Sequence, residues 1–398
     1  MTLTLYATQR FSTFGSMEKC EPPKREIYAE WLRIFAALVV VFQHTVTSIW
    51  YDTPVDTPDF FALNFMNSLS RFGVGVFIMI SGAFMLSPRY AHPPQKVLKH
   101  NLPRVIIPLV FWVIFYGIVD ALCEGFKSGA DIGETIVNVV SAPVLLFTTP
   151  ATHLWFLYAI AGLYLITPAM RVFTEHASKH MVLYVIAIFF AFGLVFPTVS
   201  HLLGKWYDFT LYKNIGIRGC TTFAGFYLTG FYITQYGLGQ RARRIVYAGA
   251  IISWAVAFFY STYISLLRDA PNEYFFGNFR PTTFLMAVGV FCFFRQKFGD
   301  AIAGSADAPG SGAHGLSMDL NARGASAARD MRVVAISGCM MGVYIIHPLF
   351  IRLFYGLKLT LLEPHPLLTV PLMTVVFFGI SLGIVAACKK VPGLWKII

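Results

Sequence analysis

Ten stretches of this 398-residue chain are each long and apolar enough to cross a bilayer, and the sequence turns polar between them. They lie near residues 31–50, 60–86, 102–122, 153–172, 181–200, 219–236, 245–267, 274–294, 332–356 and 366–388. Hydrocarbon offers a backbone no hydrogen-bond partners, so each stretch must satisfy its own amides, and about 20 apolar residues do so as a helix. The expected fold is an all-α polytopic membrane protein with about ten transmembrane helices. Composition agrees: 56% of residues are hydrophobic, 13% are charged and mean hydropathy is +0.62, outside the range of soluble domains.

The formal charge of +11 would suit nucleic acid if it formed a stripe or patch, but the cations cluster between apolar spans instead. No nucleic-acid partner is expected, and the charge reports orientation. Lys and Arg accumulate on the cytoplasmic side. Placing Lys24, Arg25, Arg89, Lys96, Lys99, Arg104, Arg171, Lys179, Arg241, Arg243, Arg244, Arg295, Lys297, Lys389 and Lys390 there puts both termini in the cytoplasm. Outer loops then carry Asp52, Asp56, Asp59, Glu124, Asp131, Glu134, Asp269 and Glu273. Only the loop with Lys205, Lys213 and Arg218 runs against the rule.

The chain divides into an N-terminal cytoplasmic segment (1–27), a transmembrane domain (28–390) and a tail (391–398). The first 25 residues lack a continuous apolar core, so no cleaved signal peptide is expected. Residues 296–331 are rich in Gly, Ala and Ser and predict a flexible cytoplasmic loop. Residues 135–150 are too short to span and read as an interfacial or re-entrant piece. Six scattered cysteines show no CxxC pair or metal-ligand spacing, so they read as packing residues and no metal is expected.

Ionisable groups inside spans are costly and mark function. The first span, WLRIFAALVVVFQHTVTSIW, holds two: Arg33 and His44. Eleven helical steps return to within roughly 20° of the start, at roughly 16 Å along the axis, so both share one stripe. Counting depth from each span's cytoplasmic end sorts the polar residues into two layers. His44, His153 and His347 converge on the outer half, suited to proton transfer. Arg33, Ser81, Arg104, Lys96 and Lys99 lie toward the cytoplasm, suited to the phosphates of a nucleotide-bearing cofactor. Arg71, near mid-membrane, is expected to line the cavity or pair with a polar group. Arg280 and Arg352 lie nearer the outer ends of their spans.

These residues fall in an ordered series of motifs: the Arg33–His44 pair, GVGVFIMISGAFML (Gly73 to Leu86), LPRVIIP (Leu102 to Pro108), HLWFLYAIAGLYLITP (His153 to Pro168) and GVYIIHPLF (Gly342 to Phe350). Over residues 28 to about 390 the series resembles the membrane-bound acyltransferase 3 family. Ser81 and Gly82 match that family's FxxxSG element, Arg104 and Pro108 its RxxxP element, and Tyr344 with His347 its YxxHP element. The resemblance implies transfer of an acyl group, usually acetyl from acetyl-CoA, to a hydroxyl of an envelope carbohydrate or lipid-linked saccharide in a bacterial inner membrane. In that reading His44 is the general base, Arg33 is essential beside it, and His153, Tyr344 and His347 complete the catalytic set. Arg104, Ser81, Lys96, Lys99 and Arg71 are the expected cofactor-binding residues. With no hydrolase-like domain expected after the last span, the chain is similar to the stand-alone surface-polysaccharide O-acetyltransferases. Buried Arg and His would also suit a transporter or flippase of a lipid-linked saccharide, and succinyl or another acyl group could replace acetyl.

Overall fold

The computed structural model describes residues 26–90, 92–128, 131–141, 153–204, 220–303, 328–356 and 365–398. The described chain is helical almost throughout: α1 (Ile27–Trp50), α2 (Pro58–Ser70), α3 (Gly73–Met85), α4 (Pro103–Ser128), α5 (Ile132–Ser141), α6 (Trp155–His176), α7 (Lys179–Leu202), α8 (Cys220–Tyr236), α9 (Gln240–Arg268), α10 (Pro281–Ala303), α11 (residues 328–337), α12 (Met340–Gly356) and α13 (Pro366–Cys388). Each expected span falls on a helix or a helix pair. Seven are long and apolar enough to cross a membrane singly, and α11 with α12 makes an eighth, bent by 52°. Helices α8 and α10 occupy the remaining two expected places. The chain is a multi-pass, all-α membrane protein.

Two spans are broken where hydropathy reads as continuous. Span two splits at Arg71 and Phe72, before Gly73. A Cβ on Gly73 would lie 2.9 Å from Val40 Cγ2 and 3.2 Å from the Ala36 carbonyl, so the break seats α3 directly on the α1 backbone. Span nine breaks at Gly338 and Cys339, between α11 and α12.

Helix α3 is the most enclosed element, held by α1, α8 and α10. Lipid tails are as apolar as leucine, so helices in a membrane associate through close packing at small residues. Here the contact is reciprocal. A Cβ at Gly82 would lie 1.9 Å from the Tyr227 carbonyl oxygen, and one at Gly230 would lie 1.9 Å from that of Met79. Helix α1 packs on α2, α3, α10, α12 and α13, so the Arg33–His44 stripe faces protein along its length.

Contacts at the helix ends agree with an alternating path. At one end Arg89 pairs with Glu26, Arg171 donates to the carbonyls of Met85 and Ser87, Arg33 donates to Ser337, and Lys389 donates to the Gly338 carbonyl. The start of α1 and the finish of α13 therefore share this basic end. At the opposite, acidic end Tyr51 donates to Glu273, His365 meets Asp59 and Arg352 pairs with Asp120.

The expected loop at 296–331 is shorter than its composition suggests. Helix α10 runs on through Ala303 and helix resumes at Ala328, because the alanines at both edges favour helix where they adjoin a span. Residues 304–327 lie outside the described residues, as does the loop with Lys205, Lys213 and Arg218. Within 135–150, the described part is the end of α5, a short exposed helix packed on α4.

Candidate active site

The apolar walls of α1, α3, α4, α6 and α12 leave a cavity of about 130 Å³. It is lined by Arg33, Phe77, Ser81, Val105, Phe156, Leu157, Ile160, Tyr164, Met340, Met341 and Tyr344. Helical spacing explains why these residues meet. Phe77 and Ser81 are one turn apart, Phe156, Ile160 and Tyr164 repeat every four residues, and Met340 and Tyr344 are also four apart.

Arg33 stands at the basic end of this cavity. Its Nη1 donates to Glu30 Oε2 at 2.6 Å and to Ser337 Oγ at 3.1 Å, the last residue before the break in span nine. The side chain remains 30% exposed, so part of the guanidinium faces the cavity. The Tyr164 hydroxyl bonds with Ser81 and lies within electrostatic reach of Arg33 and Arg104. Arg104 itself is exposed, next to the cavity-lining Val105. Lys96 and Lys99 are exposed at the same end but do not line the cavity.

Tyr344 links the two layers. Its ring lines the cavity against Phe156, 5.3 Å between centroids, and its hydroxyl donates to the His153 carbonyl oxygen. Toward the acidic end lies the histidine cluster. The His44 and His347 rings approach to 5.1 Å between centroids, and His153 lies within electrostatic reach of both. The depth count therefore brought together three groups that are distant in sequence. Among the described residues the trio forms no metal-holding group.

Hydrogen bonds fix which nitrogens can act. His347 Nδ1 lies 3.0 Å from the Val343 carbonyl oxygen, which can only accept, so in the neutral ring the proton sits on Nδ1 and Nε2 is a bare lone pair. His347 is wholly buried and this Nε2 has no partner. His153 also has a buried Nε2 without a partner. Buried polar atoms are nearly always satisfied, so the bare acceptor on His347 and the unpartnered Nε2 of His153 call for partners from elsewhere. Tyr116 braces this wall, its ring 4.5 Å from His153 and its hydroxyl donating to the Ile345 carbonyl at 2.8 Å. Arg352, salt-bridged to Asp120 at 2.5 Å, sits over the Tyr116 ring.

Arg71 belongs to this outer layer and not with the basic end. It is 8% exposed, donates to Asn67 Oδ1 at 2.5 Å, sits 4.8 Å over the Phe276 ring and is electrostatically coupled to His44. Its Nε and Asn67 Nδ2 are buried without partners. Sequence reasoning missed Tyr164, Tyr116, Glu30, Ser337 and Asn67. Tyr164 could have been found from the four-residue stripe on α6; Ser337 could not, because its contact spans 304 residues.

An all-helical bundle with a basic mouth, an internal cavity and a deep imidazole cluster defines a multi-pass membrane protein with an enclosed polar site. The family model for the acyltransferase 3 (Acyltransferase) domain matches residues 26–388, and the chain belongs to that family. No curated protein and no solved structure matches it. The chain is thus a membrane acyltransferase.

Proposed function

We propose that the protein is an acyl-CoA-dependent O-acetyltransferase of a bacterial inner membrane, acting on a hydroxyl of an envelope carbohydrate or lipid-linked saccharide. The observation that carries this reading is the pair of buried, unpartnered imidazole nitrogens of His347 and His153 near His44, one turn beyond a cavity whose basic mouth holds Arg33. The bare acceptor on His347 is complementary to a hydroxyl donor, which is what a sugar supplies.

In the proposed reaction acetyl-CoA enters from the basic end, with its phosphates outside the bundle near Arg104, Lys96 and Lys99 and its arm passing Arg33, Ser81 and Tyr344. The acceptor arrives from the acidic end. His44 takes the hydroxyl proton as the oxygen attacks the thioester carbonyl carbon, the carbon–sulfur bond breaks, and the His44 proton passes to the departing thiolate. Arg33 offsets the negative charge that develops on sulfur. His347 Nε2 accepts a hydrogen bond from the acceptor as it enters, before its hydroxyl turns to His44, and Arg71 with Asn67 lies on the acceptor side.

Purified protein given acetyl-CoA and an envelope saccharide fraction should release free CoA and form an acetyl ester. His44→Ala should reduce that release by at least about 100-fold, the contribution of a positioned general base, while its melting in detergent stays like that of the parent. Saccharide translocation without thiol release would overturn the proposal in favour of a transporter.

A further inference from the structure

A second cavity, of about 160 Å³, opens at the basic end among the start of α1, the α3–α4 connection, the close of α8, the beginning of α9 and the last turns of α10. It shares no lining residue with the Arg33 cavity. On α1 the two are reached from Tyr28 and Arg33, five residues and roughly 140° apart, so they occupy different faces of the helix. Its walls are polar, and three guanidinium groups, Arg89, Arg243 and Arg295, face it together with a single carboxylate, Glu26.

The charges do not balance. Glu26 Oε1 is engaged by Arg89 Nη1 at 3.3 Å. Arg295 donates from Nη2 to the Thr234 carbonyl at 3.0 Å, and neither it nor Arg243 has a carboxylate partner among the described residues. The other polar groups are already matched: the Tyr28 and Thr234 hydroxyls bond at 3.2 Å, and Tyr247 donates to Gln296 at 3.1 Å. What remains is unneutralised guanidinium in a concave polar site, the geometry that recognises tetrahedral oxyanions by forked hydrogen bonds. We infer that this cavity is a phosphate-binding site, distinct from the cavity assigned to acyl transfer and independent of that reading. Two sources present the required group on this side of a membrane: a soluble cytoplasmic phosphate compound and the headgroup of an anionic phospholipid.

The test uses the full chain, purified in a neutral detergent and in nanodiscs, and follows thermal unfolding. Inorganic pyrophosphate is titrated in detergent; phosphatidylglycerol is compared with phosphatidylcholine in nanodiscs. Saturable stabilisation by pyrophosphate that weakens by about tenfold or more in Arg243→Gln, recovers partly in Arg243→Lys and is unchanged in Lys390→Gln, an exposed lysine at the same end with no part in either cavity, supports a soluble phosphate ligand. Stabilisation by phosphatidylglycerol alone, with the same dependence on Arg243, assigns the site to a lipid headgroup. If neither probe stabilises the parent protein, or if Arg243→Gln responds as the parent does, the inference is overturned.

Discussion

At the scale of single residues, protein carbonyls decide which atoms carry protons. The Val343 carbonyl holds the His347 proton on Nδ1, a detail no sequence motif states, although the motif places His347 itself. The three histidines were legible because helical rise converts residue count into depth. Their partners were not, because Glu30, Ser337 and Asn67 carry no signal apart from the contacts they make. A similar residue-scale effect operates outside the membrane. Burial, with Lys96 and Arg171 nearby, lowers the His92 imidazole from 6.5 to about 4. The unfolded chain therefore binds the extra proton first, so stability contributed by neutral His92 is complete above about pH 6.5 and is lost as pH falls toward 4. In detergent the melting temperature should drop over that window, and His92→Gln should flatten the drop. An equal drop in the variant would remove His92 as its cause.

At the scale of elements, every expected span falls on a helix or a helix pair, eight of them long and apolar enough to cross a membrane among the described residues, but hydropathy missed how two of them are interrupted. Neither break falls at a proline. Gly73 and Gly338 are small residues inside apolar sequence, and what interrupts the helix is a neighbour: α1 against Gly73, and Lys389 on the Gly338 carbonyl. The FxxxSG element likewise combines two requirements, since Ser81 lines the cavity while Gly82 lets α8 approach. A methyl group at Gly82 or Gly230 would strike backbone and not a yielding side chain. Gly82→Ala and Gly230→Ala should each cost about 1–3 kcal/mol or more, measured as lost thermal stability and poor yield of folded protein. Gly379→Ala and Gly383→Ala, which meet open space on α13, should show no such loss. If all four variants behave alike, the reciprocal contact between α3 and α8 does not hold the bundle.

At the scale of the whole molecule, the distribution of cations assigns the basic end to the cytoplasm, and two native thiols can report it. Cys123, exposed near the acidic end of α4, and Cys388, partly exposed at the basic end of α13, lie on opposite sides in this topology. In variants retaining one of these cysteines alone, a membrane-impermeant maleimide should label Cys123 in intact cells and Cys388 only after the membrane is opened. The reverse pattern would invert the molecule. The second cavity also belongs to this scale. Its arginines come from the α3–α4 connection, α9 and α10, so it exists only once the bundle has closed, and the individual basic loops gave no sign of it.

The locked ring of His347 also bears on how a catalytic cycle would finish. Esterification replaces the O–H hydrogen with a carbonyl carbon, so the acetylated position brings only lone pairs to a His347 Nε2 that itself offers only a lone pair. On the proposed reaction the nitrogen that welcomes the alcohol repels its ester. Expulsion of the finished product is thereby built into the same backbone hydrogen bond that sets the His347 tautomer.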